Sequence, residues 1–361
     1  YITPMTYNIL AINPGSTSTK IALFEDDKQV FIKTIRHTAE EIGKFPNISS
    51  QFSFRKELIL SELKQAGIEI GKVHAIVGRG GLIKPIESGV YEVNPAMLHD
   101  LEVPVMGEHA SNLGGLIAYH LARELGPEVK AFIADPVVVD ELSPLARISG
   151  HPDIPRVSIF HALNQKSIAR MHAQATGRKY EELNLVIAHL GGGVSVSAHK
   201  QGRVIDTNNA LDGDGPFSPE RSGGLPAGAL VKLCFSGTKT QQEIKKMLCG
   251  AGGFVGYLNT NNTIEIIEKA ASDPQWDLLL EGMCYQIAKE IGAMACVLEG
   301  QVDAILLTGG IAHAPRVTDA IAKRVQFIAP VKVYPGEDEM RALALNGLMV
   351  LNGELTPKVY S

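Results

Sequence analysis

The sequence predicts an α/β protein built from two related domains, and three observations support this prediction. Short β-rich runs alternate with helix-periodic segments along the chain, a pattern typical of largely parallel sheets. The length of 361 residues is too great for one average domain and suits two. One strand–glycine–strand plan also occurs twice, at residues 9–30 and again at residues 185–204.

The individual elements follow from composition and periodicity. Short apolar and β-branched runs predict strands at 8–12, 20–24, 29–35, 74–78, 130–134, 184–190, 194–199, 202–207, 303–308 and 331–335. Longer segments with helical periodicity lie at 54–67, 108–126, 160–177, 263–272, 276–300 and 340–353. Several of these end at glycine, the residue that most readily adopts the left-handed conformation that closes a helix.

The repeated plan predicts a duplication. Asn13 corresponds to His189 and Gly15 to Gly191 at one common offset, and each pair follows a matching apolar strand. We therefore expect an N-terminal domain over 1–160 and a C-terminal domain over 161–339. A C-terminal helix at about 340–361 should pack back on the first domain.

Composition argues against several classes of protein. The net charge is −5 and no Lys/Arg-rich block occurs, so we expect no nucleic-acid partner. No apolar run reaches the roughly 18 residues of a membrane span, and no basic-then-apolar leader begins the sequence, which predicts the cytoplasm. The four cysteines lack CxxC spacing and are interpreted as reduced thiols.

The segment ILAINPGSTSTK, residues 9–20, predicts a phosphate-binding turn between two strands. Glycine and hydroxyl residues there present backbone N–H groups and hydroxyls to one point, which suits an oxyanion. The common GxxxxGK[ST] motif is absent, so the lysine either adds charge near the phosphates or only begins the next strand. The candidate contacts are Asn13, Gly15, Ser16, Thr17, Ser18 and Lys20, and in the repeat His189, Gly191, Gly192 and Gly193.

Two further glycine-rich segments differ in how strongly they indicate a nucleotide-binding site. LTGGIAHAP, residues 307–315, follows a strand and opens a helix near Val317, so Gly309 and Gly310 could let a ring or ribose approach the backbone. CGAGGFVG, residues 249–256, lacks the GxGxxG spacing of a dinucleotide site and is interpreted as a connector.

Taken together, these segments resemble the acetokinase family, within the superfamily of acetate and sugar kinases, Hsp70 and actin. INPGSTSTK, VGRGG, ADPVV, SIFHAL, AHLGGGVSV, RSGGLPAG and LTGGIA match that family in order and spacing. The short chain, with GEHASNLGG and GDGPFSPERSGGLP, is most similar to the butyrate kinases of that family. The resemblance covers residues 7–358 and implies two duplicated actin-like, ribonuclease H-like domains with an ATP cleft between them.

The resemblance implies a carboxylate kinase that transfers phosphate in line from ATP to butanoate or a branched short-chain acid. A carboxylate is already ionised at neutral pH, so such a site needs arginine, histidine and metal more than a general base. The implied cofactors are ATP/ADP and Mg²⁺, and the implied assembly is a homo-oligomer, a dimer or larger. The alternatives are an acetate or propionate kinase, or a non-metabolic ATPase of the same fold.

The family also assigns roles to individual residues. Arg79 and Arg221 would hold the carboxylate and phosphoryl groups, and His161 would donate to the phosphoryl oxygens in the transition state. Asp135 would orient the substrate or hold Mg²⁺, and His189 would lie beside the ATP phosphates. The metal-linked residues would be Asn13 and Glu339, with Glu337 and Asp338 as alternatives to Glu339.

Two departures from acetate kinases concern the acyl end of the substrate. The segment Val93-Asn94-Pro95 lacks the histidine that acetate kinases carry before Asn-Pro. Gly81 stands where those enzymes have a valine beside the methyl pocket, while Phe160 matches a pocket phenylalanine. Loss of the valine side chain should enlarge the pocket, and each added CH₂ is worth about 0.8 kcal/mol when buried, which favours four- and five-carbon acids.

Overall fold

The computed structural model describes residues 6–103 and 105–361. The strands are β1 Asn8–Pro14, β2 Ser18–Glu25, β3 Lys28–Arg36, β4 Ala75–Arg79, β5 Val90–Glu92, β6 Lys130–Ala134, β7 Asn184–Leu190, β8 Val194–Lys200, β9 Arg203–Thr207, β10 Ala304–Gly309 and β11 Val331–Pro335. The α-helices are α1 Ala39–Gly43, α2 Phe52–Gln65, α3 Pro95–Glu102, α4 Asn112–Leu125, α5 Pro144–Arg147, α6 Ala162–Ala175, α7 Ala227–Cys234, α8 Gln241–Leu248, α9 Gly253–Leu258, α10 Thr263–Ala270, α11 Pro274–Val297, α12 Pro315–Val325 and α13 Glu339–Leu351. Among these residues, none of the helices has the length and apolar character of a membrane span.

The chain divides into two compact units. The first unit comprises the chain up to Val139 together with Asp338–Ser361, and the second comprises Asp140–Glu337. The sequence placed the domain limits at 160/161 and 339/340. Residues 140–160 group with the second unit because their hydrogen bonds lie there, for example from the Ser143 backbone N–H to the Ile205 carbonyl at 2.9 Å.

The first unit is built on one mixed sheet of order β3-β2-β1-β4-β6-β5. Strand β1 pairs antiparallel with β2 and parallel with β4, and β4 pairs parallel with β6. The carboxyl ends of β1, β4 and β6 therefore meet at one edge, which is where α/β proteins place their sites. Helix α13 packs on β1 and β4, and Gly347 permits this approach because a Cβ there would lie 2.7 Å from Val77 Cγ2.

The second unit repeats the arrangement in a sheet of order β11-β10-β7-β8-β9. The succession β3-β2-β1-β4 in the first sheet corresponds to β9-β8-β7-β10 in the second, with the same antiparallel and parallel pairings. Apolar residues of β7, β8 and β10 and the buried face of the long helix α11 form the core of this unit. The repeated topology agrees with the internal repeat in the sequence.

Candidate active site

The predicted phosphate turn is the three-residue connection between β1 and β2. The Gly15 backbone N–H donates to the Ser18 carbonyl at 2.7 Å, which closes the turn, and Ser16 and Thr17 at its tip are exposed. Asn13 and Lys20 are direct cross-strand partners in the hairpin, so their side chains share one face of the sheet. Lys20 is exposed on that face, next to Asn13.

A buried arginine supports this turn, and sequence reasoning missed it. Arg55 of α2 is 0% exposed, and its Nη1 donates to the Gly15 carbonyl at 2.7 Å and to the Ser18 carbonyl at 3.2 Å. Gln51 Oε1 accepts from Nε at 3.0 Å and from Nη2 at 2.8 Å. Burial lowers the pKa of the Arg55 guanidinium. The helical periodicity of 54–67 could not indicate this role, because it depends on a turn some 40 residues earlier.

Asn13, Arg79 and Glu339 form one polar cluster in the first unit. Glu339 Oε2 accepts from Asn13 Nδ2 at 2.7 Å and pairs with Arg79 Nη1 at 3.2 Å. Arg79 Nη1 also lies 3.4 Å from Asn13 Oδ1. The parallel register of β1 and β4 brings the first two together, and the start of α13 supplies the carboxylate.

Glycine contacts fix the position of Arg79. Helix α4 approaches the end of β4 so closely that a Cβ on Gly78 would lie 2.9 Å from the Gly115 backbone nitrogen, and one on Gly114 would lie 2.9 Å from the Arg79 nitrogen. No other residue permits such backbone contact. The glycines of GRGG and NLGG therefore set where the Arg79 side chain leaves the sheet.

Asp135 follows β6 and is held rigidly. Its Oδ1 accepts from Ser88 Oγ at 2.6 Å and from the Gly89 backbone N–H at 2.9 Å, and the residue is 2% exposed. Its φ of 39° lies in the left-handed region, which is uncommon for a residue other than glycine. Strain of this kind concentrates at functional sites. Register places its predecessor Ala134 beside Arg79.

The three consecutive acids before and within α13 have different surroundings. Asp338 caps the helix, with Oδ1 accepting from the Arg341 backbone N–H at 3.1 Å. Glu337 Oε2 lies 3.7 Å from His189 Nε2 in the second unit, to which both residues belong. Of the three, Glu339 is the residue in contact with Asn13 and Arg79.

The donor set around Glu339 fits a magnesium ion bound mainly through phosphates. Carboxylate and amide oxygens are hard ligands, and Mg²⁺ commonly takes one or two carboxylates and completes its shell with water and phosphate. Within residues 6–103 and 105–361, no group of three or more His, Cys, Asp or Glu side chains could form an all-protein metal cage.

Gly81 does not face open space. A Cβ at this position would lie 2.5 Å from Asn112 Cα and 2.9 Å from Asn112 Cγ, at the start of α4. Asn112 Oδ1 also accepts from the Leu82 backbone N–H at 2.8 Å. The space that a valine side chain would need is therefore filled by Asn112, and packing accounts for the glycine. Phe160, the other predicted pocket residue, is 2% exposed and belongs to the second unit.

In the second unit, His161 and His189 stack face to face. Their ring centroids lie 3.7 Å apart with an interplanar angle of 8°. His189 lies one residue before the end of β7 and is 1% exposed. Its Nδ1 lies 2.7 Å from Asn164 Oδ1, which is an acceptor, so this nitrogen carries the proton. The structure therefore places together the two histidines that the sequence selected from eleven.

A buried polar chain behind His161 determines which of its ring nitrogens carries the proton. Gln165 Nε2 donates to the Ser195 carbonyl at 3.2 Å and to Ser195 Oγ at 2.9 Å. Its Oε1 therefore accepts from His199 Nε2 at 2.9 Å, and His199 Nδ1 accepts from the Tyr180 hydroxyl at 2.6 Å. Burial, and secondarily Lys166, lowers the pKa of His199 well below its ordinary value, so this ring is neutral.

Ser195 connects this chain of hydrogen bonds to His161. Its Oγ already accepts from Gln165 and, at 3.3 Å, from the His161 backbone N–H. A hydroxyl has two acceptor positions, so its own proton is directed to His161 Nδ1 at 2.8 Å. The Nε2 of a neutral His161 then bears the N–H. Sequence reasoning did not find Ser195 or Gln165. Ser195 lies inside the segment AHLGGGVSV but looks like an ordinary strand residue, and Gln165 looks like an ordinary helix residue.

Arg221 lies against the second glycine turn. A Cβ on Gly193 would lie 3.0 Å from Arg221 Nε, so the turn needs glycine for the guanidinium to fit. Nη1 donates to the Ala210 carbonyl at 2.7 Å, and Nε has no hydrogen-bond partner within the described part of the chain. Ser218 Oγ donates to the Gly192 carbonyl at 2.7 Å and ties the arginine loop to the turn.

The segment CGAGGFVG, interpreted as a connector, joins α8 to α9 and also has a packing role. Gly250 N–H donates to the Glu220 carbonyl at 2.8 Å, and the Ser222 N–H donates to the Leu248 carbonyl at 3.1 Å. A Cβ on Gly252 would lie 2.5 Å from the Ser222 nitrogen, and Gly253 begins α9 at a φ of 57°. This segment packs backbone to backbone against the loop of Arg221 and holds it in place.

The two glycines of LTGG have different environments. Gly309, at a φ of 91°, is buried, and a Cβ there would lie 2.7 Å from the Leu190 nitrogen at the end of β7. Gly310 is exposed, and a Cβ there would meet nothing within 4 Å. Packing thus requires Gly309, whereas Gly310 leaves room for a ligand.

Comparisons with known proteins agree with this arrangement. Residues 154–334 match the model of the acetokinase family. Butyrate kinase 1 of Clostridium acetobutylicum is 58% identical to the chain over 355 residues, which cover 98% of this chain and 99% of that protein. Butyrate kinase 2 of the same organism is 55% identical over 358 residues, which cover 99% of this chain and 100% of that protein.

Solved structures show the same fold. The acetate kinase of Porphyromonas gingivalis has a TM-score of 0.79 at 19% identity, with 96% of this chain and 100% of that chain covered. A propionate kinase of Francisella tularensis has a TM-score of 0.74 at 18% identity, with coverage of 94% and 98%. The predicted α/β fold with two actin-like domains is confirmed. Identity over nearly the full length places the chain in a known family: it belongs to the acetokinase family.

Proposed function

We propose that the chain catalyses phosphoryl transfer from ATP to butanoate or a similar short-chain acid, giving ADP and the acyl phosphate. The observation that carries this proposal is the grouping of His161, His189 and Arg221 around the turn at 191–193. These groups stabilise anions, as a reaction between a carboxylate and a phosphate requires. The full-length relatives named butyrate kinase support butanoate as the acid.

In the proposed reaction, His161 donates from Nε2 to the phosphoryl oxygens. The chain through Ser195 keeps Nδ1 as an acceptor, so His161 acts as a donor without needing to be charged. We assign His189 to the ATP phosphates and the unpartnered Arg221 Nε to the transferring phosphoryl group.

The first unit supplies the proposed carboxylate and phosphate contacts. Arg79 is already held by Glu339 and Asn13, so its remaining N–H groups are pre-positioned for the substrate carboxylate. We assign the phosphates to the turn at 15–18 and the orientation of substrate to Asp135. Asn13 and Glu339 would hold Mg²⁺, which when bound would neutralise charge on the phosphates.

The remaining proposals concern the setting of the enzyme. Gly310 leaves open space for the ribose or base of ATP/ADP, while Gly309 acts by packing. We propose a cytoplasmic enzyme that forms a homo-oligomer, with short-chain acids and acyl phosphates as its partners. Acetate or propionate remains the second candidate acid, since fold neighbours are named for those substrates.

The test is an acyl hydroxamate assay. Purified protein with ATP, Mg²⁺, hydroxylamine and acids of two to five carbons should give hydroxamate, with the highest kcat/KM for butanoate or a branched acid of similar size. Highest kcat/KM with acetate would contradict the assigned acid. ATP hydrolysis without hydroxamate from any acid would favour the non-metabolic ATPase.

A further inference from the structure

Arg55 is a buried cation that has no acidic partner among the residues that the structure describes. The side chain is 0% exposed, and its acceptors are neutral: the Gln51 amide oxygen, the Thr19 hydroxyl and the carbonyls of Gly15, Ser16 and Ser18. In the part of the chain that the structure describes, no carboxylate forms an ion pair with it, and burial alone shifts its pKa. A buried charge is costly unless it is paired.

The neighbouring histidine supplies no negative charge either. His37 Nε2 lies 2.8 Å from Thr19 Oγ1, which Arg55 Nη1 also contacts at 3.2 Å. Burial, and secondarily Arg55, lowers the pKa of His37, so this ring is neutral at physiological pH. Residues 6–103 and 105–361 therefore provide no negative charge that compensates the Arg55 guanidinium beneath the turn.

The hydrogen bonds of Arg55 also orient the turn. Its guanidinium donates to the carbonyls of Gly15 and Ser16, so both carbonyls point toward the buried side of the turn. No peptide bond among the described residues is cis, and in a trans peptide the N–H points opposite to the preceding carbonyl. The N–H groups of Ser16 and Thr17 consequently point away from Arg55, toward the exposed side of the turn.

We propose that Arg55 is a positioning residue that also supplies the charge of an anion site at the 15–18 turn, with a polyphosphate as the counter-ion. The site consists of the backbone N–H groups of Ser16 and Thr17 on the exposed side of the turn and the Arg55 guanidinium on its buried side. This proposal rests on the phosphate role of the turn in the proposed function. It adds the source of the positive potential, which lies inside the protein and not on Lys20.

Two substitutions separate the charge of Arg55 from its geometry. Gln51→Glu keeps an acceptor for Nε and Nη2 but places a carboxylate against the guanidinium, so the fold stays intact while the charge is cancelled. Arg55→Lys keeps the charge and loses most of the hydrogen bonds. Gln65→Glu is the matched control, because it makes the same substitution at the exposed last residue of α2, the helix that carries Arg55.

The probe is inorganic triphosphate, measured by calorimetry alongside the thermal unfolding midpoint. We take the distance from the guanidinium to the bound anion as about 8 Å. At a dielectric constant of about 20, cancelling one charge there weakens Kd roughly thirtyfold, and about fivefold after screening with a Debye length of about 10 Å. We expect this loss in Gln51→Glu with an unchanged or higher unfolding midpoint, and little change in Gln65→Glu. Arg55→Lys should unfold at a lower temperature but retain more triphosphate affinity than Gln51→Glu.

The outcomes distinguish this proposal from the proposed function. Equal triphosphate affinity in Gln51→Glu and in the unsubstituted protein would overturn the role of the charge, and so would a failure of the unsubstituted protein to bind triphosphate. Absence of acyl hydroxamate together with charge-dependent triphosphate binding would leave Arg55 supported and reject the carboxylate kinase.

Discussion

Substitution of Gly81 by alanine tests whether this glycine serves the acyl pocket or the packing of α4. The added Cβ would lie 2.5 Å from Asn112 Cα and 2.9 Å from Asn112 Cγ, far inside normal contact. The first turn of α4 would have to shift, although the helix packs closely on β4 and β6. We therefore expect Gly81→Ala to destabilise the protein.

The magnitude follows from two contributions. Overpacking of a close contact typically costs about 1–3 kcal/mol. Displacement of Asn112 would also remove its 2.8 Å hydrogen bond with the Leu82 backbone N–H, worth about 1 kcal/mol. The sum of about 2–4 kcal/mol corresponds to a lowering of the unfolding midpoint by roughly 4–16 °C.

The assay combines thermal unfolding with kcat/KM for acids of two to five carbons. Gly71→Ala is a suitable control, because a Cβ there would meet nothing within 4 Å and the backbone is not left-handed. The packing account predicts a large loss of stability in Gly81→Ala and almost none in the control. A stable Gly81→Ala variant that prefers acetate would refute it and restore the pocket interpretation.

Three further predictions concern individual polar groups. Burial and Asp214 raise the pKa of Glu290 to about 7, above the roughly 4.3 of an unfolded glutamate, so the folded state retains a proton and its stability falls as pH rises from about 4.5 to 7. Glu290→Gln should remove that slope in urea midpoints measured between pH 5 and 7.5. Ser195→Ala should lower kcat about tenfold or more with little change in the KM for ATP, and nitrogen NMR should show a changed tautomer of His161. Glu339→Gln should raise the Mg²⁺ concentration for half-maximal activity about tenfold, since it removes the carboxylate beside Asn13.

Each of these variants has a matched control in the chain. Glu268→Gln changes an exposed glutamate and should keep the pH slope. Ser197→Ala removes a buried serine hydroxyl that contacts Thr207 and not His161, and should keep kcat. Asp338→Asn removes a neighbouring carboxylate but keeps a side-chain oxygen to cap α13, and should leave the Mg²⁺ requirement unchanged. Equal effects in a variant and its control would contradict the corresponding assignment.

The strands could be predicted from sequence because most of them are apolar or β-branched runs. The expectation of largely parallel sheets was wrong, since five of the nine strand pairings in the described part of the chain are antiparallel. Each predicted strand is present in the structure, with limits that differ by a few residues. Strand β5 was not predicted, since three residues give no readable alternation. Helix α3 was also missed although it carries a recognisable start: Asn94 Oδ1 accepts from the Met97 N–H at 2.9 Å, and Pro95 follows the cap.

Site residues could be predicted where they lie in turns or at strand ends with recognisable chemistry. Residues that are required only by packing against distant segments could not be predicted. Asn13 and Arg79 stand at the ends of neighbouring parallel strands in the first unit, so their grouping follows from topology. In the second unit, His189 stands near the end of β7. Gly81 and the glycines of 249–256 act through close backbone approaches to distant segments. No local pattern distinguishes such a glycine from one in a flexible loop. The same holds for Arg55. Its position in a helical segment is typical of a solvent-exposed arginine, so the sequence does not indicate its burial.

Lys20 shows why register decides a side chain's role where composition cannot. Its motif suggested a phosphate contact, yet a lysine at the start of a strand is equally suited to face solvent. The three-residue turn fixes Lys20 opposite Asn13, on the face that also presents the Asn13–Glu339 pair. A turn one residue longer or shorter would change the register and move the lysine to the opposite face. The length of the turn thus determines whether this lysine can serve the site, independently of the glycine that made the turn recognisable.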